Sequence, residues 1–189
     1  MPDTSTQILD TAERLITQGG FHAFSFQDIA ERIGIKKASI YYHHPAKAAL
    51  GREVIARYRA RFREVLAAID GAEPIDYGDA LSLYLAPIIQ LSQSDDGVCL
   101  CGVLGGEYIA LPEEMQAEVG AFFEEHQTWL AGLLERGRAA GAFGFTGSAA
   151  KMAKLMFSAV EGALIIKRAT GDDRQLDDVI SVLQDLLRP

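Results

Sequence analysis

Hydrophobic residues recur along this chain at the three-and-four spacing of amphipathic helices, and no segment carries a convincing strand signal. Residues 5–19 place Ile8, Leu9, Ala12, Leu15 and Ile16 on one stripe and stop at Gly19-Gly20, a natural helix terminus. A long helix is predicted from Lys47 to about Asp70, with Val54, Tyr58, Phe62, Val65 and Ile69 on one side. Its other faces carry Arg52, Arg57, Arg59, Arg61 and Arg63. Gly71 and Pro74 then punctuate the chain before a helix over about 76–93. A polar break from Ser92 to Gly97 precedes the segment VCLCGVLGGEYIAL. Leu111-Pro112-Glu113-Glu114 reads as a helix start, because proline loses no needed N–H in the first turn and acids suit the positive end of the dipole. The apolar spacing of Met115, Val119, Phe122, Phe123, His126, Leu130, Leu133 and Leu134 continues that helix to the glycine-rich stretch at 137–147. Two more follow, over about 148–170 and 173–187. The pattern predicts an all-α fold of about nine helices.

Between the first and the long helix, Phe26 to Pro45 reads FQDIAERIGIKKASIYYHHP. Ile29, Ala30, Ile33, Ile35 and Ile40 fall where two short crossed helices must touch, and Gly34 sits at the sharp turn between them. The remaining positions of the second helix include Lys36, Lys37, Ser39, Tyr41, Tyr42 and His43. These are donors and planar rings, suited to phosphates and base edges. The pattern is a helix-turn-helix with a recognition helix at about 37–43, and double-stranded DNA is the expected partner.

Composition changes this picture little, and charge sharpens it. Hydrophobic residues make up 49% and charged residues 23%, so the chain is globular rather than disordered. Its length suits a small module at 1–50 and a larger body at 51–189. No apolar run approaches the roughly 18 residues that a membrane span requires. The first residues, MPDTSTQ, carry neither a basic nor an apolar leader region, so the expected compartment is the cytoplasm. The net charge of −8 divides unevenly. Residues 1–70 hold ten Lys/Arg against eight Asp/Glu, and residues 71–189 hold eight against eighteen. Attraction to nucleic acid depends on the local face, so this split directs DNA to the N-terminal end.

The order of these parts resembles the tetracycline-repressor (TetR) family of bacterial transcription regulators. The resemblance rests on a first helix ending in GGF, on FQDIAERIGIKKASIYYHHPAKAAL, and on a long fourth helix leading into a helical body. Its specific motifs cover residues 8–55, and the body matches in architecture and length. The resemblance implies an N-terminal three-helix DNA-binding module joined by the fourth helix to a ligand-binding and dimerisation body. It implies that Tyr41 meets backbone phosphate and that Tyr42 and His43 touch phosphate or bases. Lys36, Lys37, Ala38 and Ser39 would open the recognition helix, Gln27 would reach a base, and Ser25 would cap its helix and meet a phosphate. Lys47 would pair with phosphate at the start of the fourth helix. The competing reading buries Tyr41 or Tyr42, since one face of so short a helix must pack; Ile40 is assigned to the core. Two positions depart from the family pattern. Lys36 stands where a serine or threonine cap is usual. His44 replaces a phenylalanine, either as a half-buried aromatic substitute or as an added phosphate contact.

The body is expected to pair and to sense. Its last two helices offer Ala159, Gly162, Ala163, Ile166, Leu176, Ile180 and Leu183 for a homodimer interface, the alternative being that these stripes fill the monomer core. Tyr84, Cys101, Tyr108, His126, Trp129, Phe157 and Glu161 are candidates to line a mostly apolar effector cavity, although each also suits a packed core. Cys99 and Cys101 read as small buried hydrophobes, with a thiol-responsive switch as the alternative. No cofactor and no metal site is implied, since two thiols make a poor zinc site and the histidines lack matching spacing. No catalytic constellation is present, so an enzyme is not expected. The expected function is a ligand-responsive transcriptional regulator, a repressor that binds a palindromic operator as a dimer and is released by a small molecule. A helical ligand-binding protein that no longer reads DNA is the reading from a different class.

Overall fold

A computed structural model describes residues 3–94 and 97–189, so Asp95 and Asp96 of the expected polar break, and the first two residues of the 1–50 module, lie outside it. The described residues form α1 (Thr4–Gly19), α2 (Phe26–Ile33), α3 (Lys37–His43), α4 (Lys47–Asp70), α5 (Tyr77–Ser92), α6 (Leu100–Gly106), α7 (Glu113–Ala139), α8 (Ala149–Thr170) and α9 (Gln175–Leu186). Short 3₁₀ turns occur at Phe21–Ala23 and Tyr108–Ala110, and no strand occurs among the described residues. The chain divides into two compact units. The first comprises residues up to Arg61 and Leu100–Phe122; the second comprises Phe62–Cys99 and Phe123–Pro189.

In the first unit, local chemistry sets the helix ends. Asp3 accepts the Thr6 amide at 2.7 Å and starts α1. Ile8, Ala12 and Ile16 on its inner stripe are fully buried. Ser25 and Asp28 form a reciprocal capping box for α2, an arrangement worth about 1 kcal/mol. Gly34 closes α2 at φ 72°, a left-handed conformation that glycine adopts without a Cβ clash, and the chain re-enters α3 three residues later. The segment VCLCGVLGGEYIAL, for which the sequence sets no helix bounds, folds as α6 and a 3₁₀ turn. Leu100, Cys101 and Leu104 are fully buried, and α6 packs against α1.

The arginines of α4 modify the charge argument. Arg57 pairs with Asp10 at 2.7 Å and Glu13 at 2.9 Å, and Arg61 reaches Glu13 at 3.1 Å. Arg52 lies 3.6 Å from Glu114, and Arg59 pairs with Glu118. Much of the N-terminal basic excess is therefore neutralised within the fold. The surface of α3, with Lys36 and Lys37 exposed, retains its own charge.

The second unit is centred on aromatic residues. Tyr84 of α5 stacks on Trp129 of α7 with ring centroids 5.2 Å apart. His126 lies against Phe62 at 5.0 Å and Phe157 at 5.5 Å. Asp70 accepts from Trp129 Nε1 at 2.8 Å and from Arg136 at 3.0 Å, tying the end of α4 to α7. Helices α8 and α9 pack side by side, joined through Gly171 and started by the Ser148 cap of α8.

Candidate nucleic-acid interface

Only Ile40 of α3 is buried, at 0% exposure, and it anchors the helix while the other side chains face outward. Tyr41 is 50% exposed and Tyr42 86% exposed, which supports assigning both rings to solvent rather than to the core. Tyr41 is held edge-on to Phe26 at 5.0 Å, and Lys37 Nζ lies 5.9 Å from its centroid. This contact fixes the ring while leaving half of the residue accessible. Tyr42 lies edge-to-face on the neighbouring His43, with ring centroids 5.3 Å apart. Lys36, Lys37, Ala38 and His43 are exposed and Ser39 is half-buried. Lys36 sits at the N-cap of α3 with no side-chain cap bond, so the departure from the family pattern leaves that helix start uncapped.

The neighbouring candidates are already engaged. Gln27 is exposed and donates to Glu31 at 2.8 Å. The Ser25 hydroxyl accepts the Gln27 amide at 3.2 Å and donates to Asp28 at 2.7 Å. The Ser25 hydroxyl and amide hold the Asp28 carboxyl below the usual carboxylate range. Lys47 turns inward: its ammonium donates to the Phe24 carbonyl and lies 4.6 Å and 4.2 Å from the Phe21 and Phe24 ring centroids. Burial lowers its pKa, against the pull of Asp28 and Glu107. Lys47 therefore clamps the loop before α2.

His44 resolves to the buried aromatic alternative. It is 3% exposed, with Nδ1 3.3 Å from Glu53, and burial lowers its pKa despite that carboxylate. Its Nε2 is shielded and without a hydrogen-bond partner among the described residues.

Of the effector candidates, the second unit brings together Tyr84, His126, Trp129 and Phe157. The Tyr84 hydroxyl lies 3.2 Å from His126 Nδ1. Burial pushes the Tyr84 hydroxyl pKa up, with Glu161 and Cys99 adding to the effect. Burial brings His126 down to about 4 and Glu161 up to about 7, although a hydrogen bond with Cys99 pulls Glu161 the other way. Glu161 Oε2 is solvent-shielded and has no hydrogen-bond partner among the described residues. Cys101 and Tyr108 belong to the first unit, Cys101 fully buried and Tyr108 41% exposed on its 3₁₀ turn.

The candidate pairing residues divide by burial. Ala163, Leu176, Ile180 and Leu183 are buried within the single chain, as the core alternative anticipated. Ala159 and Gly162 are half-buried and Ile166 is exposed. Ala159 and Leu183 of these candidates border an apolar groove whose other apolar residues lay outside the expected set. Leu155, Val182 and Leu186, with Ala159 and Val179, line a groove of about 430 Å³ between α8 and α9. The stripe was visible in the sequence, but which of its edges the partner helix covers was not.

A helix-turn-helix with an exposed basic and aromatic second helix, carried by an all-helical chain, defines a DNA-binding transcription regulator. Residues 8–54 match the model for bacterial regulatory proteins of the tetR family, and residues 79–182 match the C-terminal domain of LmrA/YxaF-like transcriptional regulators. The chain belongs to the TetR family of bacterial transcriptional regulators. A TetR regulator of known structure from Legionella pneumophila is 33% identical, with a TM-score of 0.90 over 100% of this chain and 99% of that one. The regulator LmrA of Bacillus subtilis is 26% identical over 191 residues, covering 98% of this chain and 97% of LmrA. The regulator UidR of Escherichia coli K12 is 35% identical over 78 residues, which is 39% of this chain and 38% of UidR. The family is one of regulators and not of enzymes. Among the described residues no helix is long and apolar enough to cross a membrane.

Proposed function

We propose that this protein is a cytoplasmic repressor that binds a palindromic operator as a homodimer and leaves it when a small molecule binds. The exposure of the α3 side chains around a single buried anchor, Ile40, carries the reading. Lys36, Lys37, Tyr41, Tyr42 and His43 position the module on phosphates, while Gln27, Ala38 and Ser39 meet base edges. Ser25 and Lys47 act at the margin of the same surface, Lys47 by exchanging its intramolecular partners for phosphate or by holding the loop while its neighbours make contact. The functional division is a DNA-binding module at 1–50 and a regulatory body at 51–189.

One α3 reads few base pairs, so a twofold pair spanning one duplex turn, about 34–36 Å, is the economical solution. The apolar groove between α8 and α9 supports the partner surface, since a second copy would cover Leu155, Val182 and Leu186. The effector is assigned to the cluster of Tyr84, His126, Trp129, Phe157 and Glu161. A molecule that binds better when the two α3 helices are wrongly spaced shifts the dimer off its operator by its differential affinity alone. The burial of Cys99 and Cys101 favours packing over a thiol switch. Selection of random duplexes by the purified protein tests the reading: a palindrome with steep salt dependence supports it, and no enrichment by folded dimer contradicts it.

A further inference from the structure

We propose that Glu107 is a positioning residue for DNA binding, latching the end of α6 to the corner between α1 and the helix-turn-helix. The inference rests on the reading of α2 and α3 as the DNA-contacting pair. That corner is built around Gly20, at φ 89°. The Phe21 amide donates to Glu107 Oε2 at 3.0 Å, a bond spanning 86 residues of sequence. A Cβ on Gly20 would lie 1.7 Å from Glu107 Oε1, so the carboxylate occupies space that only a glycine leaves open. The 3₁₀ turn at Phe21–Ala23 receives no side-chain cap from its own preceding residue, and Glu107 supplies the acceptor instead.

Two further contacts make the corner a clamp. His22 Nε2 lies 3.2 Å from the Ala110 carbonyl oxygen, a second tie from the same loop to the segment after α6. On the other side, Lys47 holds the Phe24 carbonyl and covers the Phe21 ring, within the attraction of the Glu107 charge. Residues 20–24 are thus gripped from α6 and from α4, immediately before the Ser25 cap that starts α2. Releasing the grip lets α2, and α3 packed on it, change direction relative to α1. Glu107 reaches the helix-turn-helix through the Phe21 amide and through its attraction for Lys47, so its effect is on placement rather than on contact with DNA.

The test compares wild type, Glu107→Ala, Glu107→Gln and Gly20→Ala on the duplex that wild type selects and on random-sequence duplex. Glu107→Ala is expected to weaken operator binding about tenfold, the scale of one hydrogen bond to a charged group. Binding to random duplex and the number of ions released should stay at the wild-type values, because no phosphate contact is lost. Glu107→Gln keeps a carbonyl acceptor for the Phe21 amide and should recover most of the affinity. Gly20→Ala displaces the carboxylate and also strains the φ 89° backbone, so it should weaken operator binding at least as much as Glu107→Ala. Without DNA, hydrogen exchange of the Phe21 amide should accelerate in Glu107→Ala while core amides keep their protection. Operator affinity equal to wild type in Glu107→Ala overturns the proposal, and so does unchanged Phe21 exchange. If Glu107→Ala fails to fold, Glu107→Asp decides: it keeps the charge but withdraws the acceptor by one methylene, so operator affinity should fall and Phe21 exchange should accelerate, and wild-type values of both overturn the proposal. A wild type that selects no duplex would sink the DNA-surface reading itself, whereas the exchange result reports the latch independently.

Discussion

The buried carboxyl of Glu161 makes stability depend on pH in a direction opposite to that of an ordinary surface acid. Burial raises its pKa from 4.5 to about 7, against the Cys99 hydrogen bond, and its Oε2 is solvent-shielded. A group held protonated in the folded state contributes stability that is complete below the unfolded pKa of 4.5 and is lost as pH rises through about 7. The gap corresponds to about 3 kcal/mol. Glu161→Gln keeps the shape and cannot ionise. The stability difference between variant and wild type should therefore move in favour of the variant by about 3 kcal/mol between pH 4.5 and about pH 8. An unmet amide donor adds a constant offset, which leaves that change intact. His126, held down near 4 by burial, runs the other way and loses stability as pH falls from 6.5, but it is common to both proteins and cancels. Urea unfolding at fixed protein concentration across this range measures the difference. A difference independent of pH, or one that moves against the variant as pH rises, would show that the Glu161 carboxyl is not held protonated by the fold.

Other expectations follow from the surfaces. Lys37→Ala should weaken binding to all duplexes and reduce the salt slope by about 1, as measured by titration at several salt concentrations. Tyr41→Phe should cost about 1 kcal/mol of operator affinity with the thermal transition unchanged, because the Phe26 contact remains. Lys47→Ala should lose about 1–3 kcal/mol of folding stability as well as operator affinity, since the Phe24 carbonyl loses a charged donor; unfolding at wild-type denaturant concentration would count against the inward-facing lysine. Leu155→Glu combined with Val182→Glu should convert the dimer to a folded monomer in sedimentation experiments. A dimer of unchanged affinity would move the interface elsewhere.

Helix periodicity and end signals were legible because they are local. Gly34 and the Ile29, Ala30 and Ile40 contacts could be read from spacing alone, the Ser25 cap followed from the family resemblance, and the structure agrees with each. The bounds of α6 were not legible, since its seven residues include three glycines and its helix is favoured by the burial of Leu100 and Leu104. Partner choice across long separations was equally hidden. Nothing in the sequence links Glu107 to Phe21 or Arg57 to Glu13, because such pairings depend on tertiary placement. The exposed tyrosines of α3 were inferable from the single apolar anchor at Ile40. The inward turn of Lys47 was not, because its aromatic partners Phe21 and Phe24 lie on a separate loop.

If α3 presents an operator-reading surface in a twofold dimer, sequence preference is set by two symmetric half-sites. Bound sequences selected from a pool of random duplexes at two salt concentrations report that symmetry. The expected result is enrichment of a palindrome whose half-sites are centred about one duplex turn apart, with affinity falling steeply as salt rises. Folded, dimeric protein that enriches no sequence, or that binds without dependence on salt, would contradict it.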